Sequence, residues 1–415
     1  MPLAQKIAGN MTPGKTMTET ALATEPGTDQ YSIQRVRSNS AGEPLLTDWK
    51  AFAAGSASEP MMHNPDWLQG YFAGQLEKLS AYFVYQSGSL QGVAPFLSRD
   101  WPLKWHLGEL TAAQFPLRRL RLLGATPGIP EDASAYDLLF TELAKQKNAF
   151  DAIYLEGVPL DSFLWNYLKT STLVHEHFRA YFPDLPLPHL QLRFRGSFSD
   201  YMKKFSPKQR KNLLRQVTKI REGIVGEMRF EQYTRPDQVP LFLEPAVEIS
   251  KKTYQWKLHH RGLSATELLR QRLLFAAENS WMRCYLLFCG GTPCAFLVGY
   301  QCGSRFVIDE IGFDPTLSKF SPGTSLHLMV IEDLFNRNRP EVYDLGVYNR
   351  YKEVLSTESY LESNVFLFRP GAYLRLVQEG HRACQLATKT ISAFMDGLRL
   401  KSALKKIIRA QNSSS

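Results

Sequence analysis

The stretch that decides the fold runs from Phe313 to Arg337, FDPTLSKFSPGTSLHLMVIEDLFNR. A strand-like run, Arg305 to Phe313, leads into it, and a second, Val342 to Leu345, follows it. Between them the apolar residues recur at helical spacing from Pro322 to Arg337. Pro322 suits the first helical turn, where its missing N–H would be unpaired anyway, and Ser321 stands at the N-cap position. Gly323 lets a ligand approach the backbone without a Cβ in the way. The N–H groups of Gly323, Thr324, Ser325 and Leu326, together with the helix dipole and the neighbouring Lys319, read as a site for phosphate oxygens.

Working outward, the segment before this helix predicts strands at Met282–Cys289, Thr292–Gln301 and Arg305–Phe313. The most apolar run, Tyr285 to Tyr300, is too short to span a membrane, and Gly290, Gly291 and Pro293 break it as a hairpin turn. Upstream of it lie a helix from Phe198 through the basic segment, a strand at Met228–Tyr233, and helices at Pro236–Lys251 and Thr266–Glu278. The first half of the chain reads similarly. Helices are expected at Asp48–Ala53, Pro65–Leu79, Ala135–Asn148 and Asp161–Ser171, with strands at Ala81–Gln86, Leu90–Leu97, Arg119–Gly124 and Ala152–Leu155. The proline-dense FPDLPLPHL around Pro183, Pro186 and Pro188 reads as the link between two α/β halves.

The 415 residues, 44% apolar and 12% aromatic, have the composition of a globular chain with real cores, not of a disordered scaffold. Residues 1–30 read as a mobile tail without the apolar segment of a secretory signal. Residues 372–415 read as a basic amphipathic helical extension, with Leu374, Val377, Ala383, Leu386, Ile391, Phe394, Leu398, Leu404 and Ile408 on its apolar positions. Packing against the catalytic half is the expected role for that extension, and peripheral membrane contact is the alternative. The net charge of +9 permits nucleic acid, anionic lipid or a polyphosphate cofactor as partner. Five cysteines without a CxxC pair read as buried reduced thiols in a cytoplasmic protein, and no His/Cys/Asp cluster has metal spacing.

The run SPGTSLHLMVIEDLF followed by EVYDLGVYNRYK resembles the CelD-type branch of the GNAT acetyltransferases, whose members show sPGt-L, a strand ending in D-[FL]-G, and a YK pair. The matching positions here are Ser321, Pro322, Gly323 and Thr324, then Asp344 and Gly346, then Tyr351 and Lys352. SPKQRKNLLRQVTKI resembles the family's R-x-N-x-R-R helix through Arg210, Asn212 and Arg215, with Leu214 in place of one arginine; HNPDWLQGYF and GVAPFL fit its first half. The wider GNAT pattern places Gln or Arg where this chain has Phe320.

The resemblance implies tandem GNAT-like lobes, at 31–188 and 189–371, with mixed, mostly antiparallel sheets flanked by helices. It further implies transfer of an acetyl or longer acyl group from acyl-CoA to an amine or hydroxyl of a sugar, amino acid or polysaccharide precursor, with no metal. Asp309 and Glu310, adjacent on the strand that would face the thioester, point to opposite faces of a regular strand. Either can serve as base. Glu310 is preferred because Ile308 and Phe306 on its face would raise its pKa. Tyr351 and Tyr348 are the candidates to protonate the thiolate, and Lys352, Asp344, Arg210 and Asn212 the candidates to hold substrate. His327, alone on an apolar helix, reads as packed. Two alternatives remain open: a FemAB-like transferase using aminoacyl-tRNA, and a non-catalytic accessory subunit of exopolysaccharide synthesis.

Overall fold

The computed structural model describes residues 30–37, 42–55, 61–108, 110–183, 185–223, 227–253, 262–337 and 339–397. The expected tail, and the basic end of the C-terminal extension with Leu398, Leu404 and Ile408, lie outside the described residues. The strands are β1 (Tyr31–Arg37), β2 (Leu79–Gln86), β3 (Ser89–Asp100), β4 (Leu103–Leu107), β5 (Leu110–Phe115), β6 (Arg118–Leu122), β7 (Ala152–Pro159), β8 (Arg179–Tyr181), β9 (Leu187–Arg193), β10 (Met228–Tyr233), β11 (Cys284–Cys289), β12 (Thr292–Cys302), β13 (Arg305–Phe313), β14 (Val342–Val347) and β15 (Glu358–Phe368). The helices are α1 (Glu43–Gly55), α2 (Pro65–Tyr71), α3 (Ala133–Lys145), α4 (Phe163–Thr170), α5 (Thr172–His177), α6 (Phe198–Lys203), α7 (Pro207–Gly223), α8 (Val239–Lys252), α9 (Glu267–Glu278), α10 (Pro322–Asn336), α11 (Arg350–Leu355) and α12 (Ala372–Gly397).

One sheet carries thirteen strands in the order β1-β2-β3-β6-β7-β15-β9-β14-β13-β12-β11-β10, with β8 beside β15. Its two halves repeat one plan. In each, three antiparallel strands lead through a helix to a parallel neighbour: β2, β3, β6, α3, β7 in the first, and β11, β12, β13, α10, β14 in the second. The join is an exchange. β9, which follows the first half in sequence, pairs with β14 of the second; β15, which follows the second, pairs with β7 of the first; and β9 and β15 pair with each other. FPDLPLPHL therefore runs directly into a central strand, where a link was expected.

The core crosses the halves as well. Trp49, Trp67 and Phe83 share one apolar cluster with Phe242, Leu273, Leu286 and Tyr300. The opposite face of the second half is packed by Leu192, Tyr285, Leu297, Phe306, Leu326 and Tyr343 under α7 and α10. Two expectations shift for local reasons. The helix from Pro65 stops at Tyr71, and Gly74 at φ +79° turns the chain. The helix from Phe198 breaks after Lys203 and restarts at Pro207, since the residue before a proline avoids the helical region.

The C-terminal extension corrects a third. α12 lies on the first-half hairpin β4–β5, and its Leu374 and Val377 also share a cluster with Phe366 and Phe368 of β15. Trp105 Nε1 donates to Val377 O at 3.1 Å, Thr388 Oγ1 donates to His106 O at 3.0 Å, and Tyr181 shares a 2.7 Å hydrogen bond with His381 Nδ1. Leu374 and Val377 are buried there, while Leu386 and Ile391 face outward. No helix among the described residues is long and apolar enough to cross a membrane.

Where β14, β9 and β15 meet, His189 is clamped between two carboxylates, Nε2 to Asp344 Oδ1 at 2.7 Å and Nδ1 to Glu362 Oε2 at 2.6 Å, with its ring stacked on Tyr360. Two carboxylate acceptors require both ring nitrogens to carry protons, so this histidine is an imidazolium. Burial opposes the charge, but the two carboxylates overcome it and lift the pKa to about 9. A histidine whose pKa is raised on folding stabilises fully below its unfolded value of roughly 6.5, and that support is lost as pH rises through about 9. His189→Ala, which removes the cation shared by Glu362 and Asp344, is expected to cost about 3–5 kcal/mol at pH 7. Urea midpoints measured across pH 6–10 should show the alkaline loss of stability in the native chain, and it should be much shallower in the variant.

Candidate active site

β13 pairs with β14 over only three residues, Arg305–Val307 against Val342–Asp344, yet continues beside β12 as far as Phe313. From Ile308 on, the edge of β13 that faces β14 has no strand partner among the described residues. The β13–β14 ladder ends there, leaving a gap in the pairing. α10 begins at the end of this gap, and a Cβ on Gly323 would sit 3.0 Å from Phe313 Cδ1.

The α10 start departs from an ordinary cap. Ser321 takes φ +55°, ψ +50°, a left-handed conformation that costs a non-glycine residue roughly 1 kcal/mol or more, and its side chain makes no capping bond. Ser325 N donates to Ser321 O at 3.1 Å, which begins the helix ladder. Ser325 N–H is the first rung of the ladder and Leu326 lies beyond it, so the open donors reduce to the N–H groups of Gly323 and Thr324, two of the four expected. Lys319 is exposed beside them, its ammonium 4.8 Å from the Phe320 ring centroid. In the first turns of α10 and on α11, three buried polar atoms have no hydrogen-bond partner of good geometry among the described residues: Ser325 Oγ, His327 Nδ1 and Tyr351 Oη. Buried polar groups are almost always satisfied, so a cluster of orphans at one helix start is what a bound polar ligand or ordered water would complete. Thr324 lies beside the Tyr351 hydroxyl, and burial raises that tyrosine's pKa.

His327 is packed, as expected. Its Nε2 shares a 2.7 Å hydrogen bond with the hydroxyl of Tyr343, itself a core residue, and burial, with Lys352 nearby, lowers its pKa to about 3. It is neutral at every ordinary pH. Lys352 is half-buried near Gly346, and desolvation lowers its pKa while Asp344 raises it. Asp344 itself is committed within the chain, bonding His189, Arg305 Nη1 at 2.9 Å and Gly346 N at 2.9 Å. Arg210 is committed too: its guanidinium closes the end of α6 through Met202 O and Phe205 O. Asn212 is exposed and accepts from Arg215. Tyr348 is exposed with its hydroxyl on Glu353 at 3.0 Å.

The acid pair corrects the strand reading. Opposite β13, Val298 pairs with Glu310 and Gly299 with Ile308, so Asp309 is an extra residue, a β-bulge. Phe306, Ile308 and Ile311 pack on the α10 face, whereas Val307 packs on the other. The bulge turns Glu310 away from Phe306 and Ile308 and onto the same face as Asp309. Both acids line one open cavity of about 300 Å³ with Gly262, Leu263, Ser264, Thr266 and Arg272. Burial first, then the neighbouring Asp309 charge, raises Glu310 to about 7. Asp309 is raised by burial and pulled back by Arg272, whose Nη1 is 3.9 Å away and whose guanidinium lies 3.8 Å from the Tyr71 ring centroid. Two like charges in one partly desolvated cavity cannot both ionise cheaply, which leaves one proton to be exchanged near neutrality. Sequence reading missed Arg272, Leu263, His189 and Glu362. None carries a local motif; their roles come from strand exchange and from the bulge.

Residues 207–353 match the family model of the acetyltransferase (GNAT) domain. The chain is similar in fold to FemX, with a TM-score of 0.57 and 12% identity over 80% of this chain and 98% of that one. It also aligns with a tandem GNAT protein from the clavulanic acid biosynthesis pathway (TM-score 0.45, 12% identity, 82% and 100% covered) and with L-PGS from Bacillus licheniformis (TM-score 0.47, 13% identity, 85% and 98% covered). No curated protein matches the chain by sequence. The architecture is thus a mixed α/β arrangement of tandem GNAT-like lobes on a large, mostly antiparallel sheet, and the matched domain supports an acyltransferase in general terms.

A glutamate whose folded pKa lies near 7, above its unfolded value of 4.5, stabilises the fold only at low pH; that support is lost as pH rises through about 7. Glu310→Gln should therefore raise the melting temperature at pH 8 and change it little at pH 5. Differential scanning calorimetry at the two pH values checks this, and equal shifts at both would assign Glu310 an ordinary environment.

Proposed function

We propose that the protein transfers an acetyl or longer acyl group from acyl-CoA to an amine or hydroxyl of a sugar, amino acid or polysaccharide precursor, using the second lobe alone for the donor. The observation that carries this reading is a contrast between equivalent helices. In the first lobe, the Asp132 carboxylate accepts from the N–H groups of Ser134 and Ala135, which fills the α3 start with negative charge. In the second, the α10 start has no such cap, a glycine at its second position, and Lys319 nearby. A phosphate is repelled at the first and welcomed at the second.

The donor's pyrophosphate rests on the N–H groups of Gly323 and Thr324, with Lys319 and Lys352 as candidate counter-charges. The acyl arm enters the gap between β13 and β14, where the unpaired backbone of β13 can donate to the thioester carbonyl as charge develops on it. The acceptor lies in the cavity on the opposite face. Glu310 takes the acceptor's proton, its near-neutral pKa matching that task, and Asp309 with Arg272 sets the local charge. Tyr351 returns a proton to the departing thiolate. His189, Asp344 and Arg305 hold the strand frame and do not touch substrate. The residues present suit such a donor, since the orphaned atoms lie at the helix start where it would sit.

A second reading draws support from α7. Lys208, Lys211, Arg215 and Lys219 are exposed along one side of this helix, which packs against α10 and the turn before it. A basic row beside a phosphate site also suits an aminoacyl-tRNA donor, as in FemAB-like transferases.

Acyl-CoA is expected to raise the melting temperature, because a ligand that binds only the folded state stabilises it. Gly323→Glu should abolish that shift while leaving the unliganded melting temperature within a few degrees of the parent. With a turned-over acceptor, kcat/KM should rise as pH passes through about 7 and fall about 10²–10⁴-fold in Glu310→Gln. No shift with any acyl-CoA, together with salt-dependent binding of charged tRNA, would replace the first reading with the second.

A further inference from the structure

We propose that Cys289 and Cys294 form a reversible dithiol–disulfide couple built into the hairpin that supports the α10 loop. Their Sγ atoms lie 2.8 Å apart across the Gly290–Gly291 turn, close to the roughly 2.05 Å of a disulfide bond. The approach is a product of register. Leu287 pairs with Ala295 and Phe288 with Pro293, so Cys294 is an extra residue on β12, and this bulge brings its side chain to that of Cys289. Both thiols are buried in the cluster under α7 and α10, whereas Cys284 and Cys302 belong to the core on the opposite face of the sheet and Cys384 sits on α12.

The couple is wired to the candidate donor site. Cys294 O accepts from Asp314 N at 2.9 Å, and the Asp314 carboxylate in turn holds Thr316 N at 3.0 Å, Thr316 Oγ1 at 2.7 Å and Lys252 Nζ at 2.8 Å. Asp314 caps the turn Pro315–Phe320 that delivers Ser321 and α10. A bond across the hairpin stiffens the strand end on which that turn is anchored.

The chemistry assigns unequal roles. The two sulfurs share a hydrogen bond that either can donate; it lowers the pKa of the Cys289 thiol, and the same neighbour, followed by burial, raises that of Cys294. Cys289 is also the more exposed of the two. Its thiolate attacks one sulfur of a small-molecule disulfide, forming a mixed disulfide and releasing one thiol. Cys294, losing its proton, then attacks Cys289 Sγ and releases the second thiol. The two cysteines lose two electrons and two protons in all, and the small-molecule disulfide gains them.

The test needs no acceptor, so its failure is distinct from failure of the acyl-transfer reading. The full chain is incubated with oxidised glutathione, and its thiols are titrated after denaturation. The expected result is loss of two of the five thiols, a peptide map joining Cys289 to Cys294, and full recovery with dithiothreitol. Cys294→Ser should instead keep a glutathione adduct on Cys289. Amide exchange at Asp314 should slow in the oxidised chain. Five titratable thiols after oxidation, or a link through Cys384, would overturn the couple; unchanged exchange at Asp314 would overturn its connection to the loop.

Discussion

Everything in this molecule hangs on the exchange of β9 and β15. Each half alone would end its sheet at a bare strand, β7 in the first and β14 in the second, with a row of unpaired N–H and C=O groups. Each bare edge is covered by the strand that follows the other half in sequence, and the two crossing strands are hydrogen-bonded to each other. His189 on β9 fastens the crossing by reaching Asp344 on β14 and Glu362 on β15 at once. The halves are therefore not beads on a linker. Neither has a complete sheet without the other, and the apolar cluster that runs from Trp49 to Tyr300 makes the same point with side chains.

That constraint sets what the site can do. The sheet is pinned at its centre through Arg305, Asp344 and His189, at the base of the gap between β13 and β14. Above that pin the β13–β14 ladder ends, and the α10 start and the Asp309 bulge lie on opposite faces of one strand. The helix start and the acid pair are thus fixed relative to each other by one strand whose base is held by Arg305, Asp344 and His189. The repeated plan of the two lobes makes their divergence informative: the first lobe keeps the strands and the helix but caps the helix start with Asp132, whereas the second leaves it without a side-chain cap.

Most of the regular structure is legible in the sequence because it rests on local signals. β13 has the predicted bounds, β10 likewise, and α10 begins at Pro322 as its proline and glycine imply. What is not legible is nonlocal. β15 reads ESYLESNVFLF, half alternating and half continuous in its burial, because it passes from one half's sheet to the other's; no single period describes it. His189 follows a proline run and looks like loop sequence, and only the pairing of β9 with both β14 and β15 gives it two carboxylates. The SPGT segment is legible as a helix start, and the ordinary helix ladder takes up Ser325 N–H, whose acceptor is Ser321 O. The Asp309–Glu310 pair was visible as adjacent acids. Their shared face was not, since alternation holds only in a regular strand and the bulge is set by how β12 pairs.

Strained and unsatisfied features occur at several places among the described residues, Ser87, Ser280, His63 and Trp67 included, and one group of them lies at the candidate site. The left-handed Ser321, the orphaned atoms of Ser325, His327 and Tyr351, the bulge at Asp309 and the raised acid pair all fall between β13 and α11. Each would cost stability on its own, on the order of 1–3 kcal/mol for a strained residue or an unpaired buried group. A fold tolerates such a concentration only where rigid surroundings hold it, and the rigid element next to it is the charged clamp at the strand exchange, whose carboxylates and cations are fully paired. The same strand, β14, carries Asp344 into the clamp and leads through Gly346 to Tyr351 and Lys352. The clamp and the gap thus share their strands: β13 carries Arg305 into the clamp and Asp309 into the bulge, and β14 carries Asp344 into the clamp and leads on to α11.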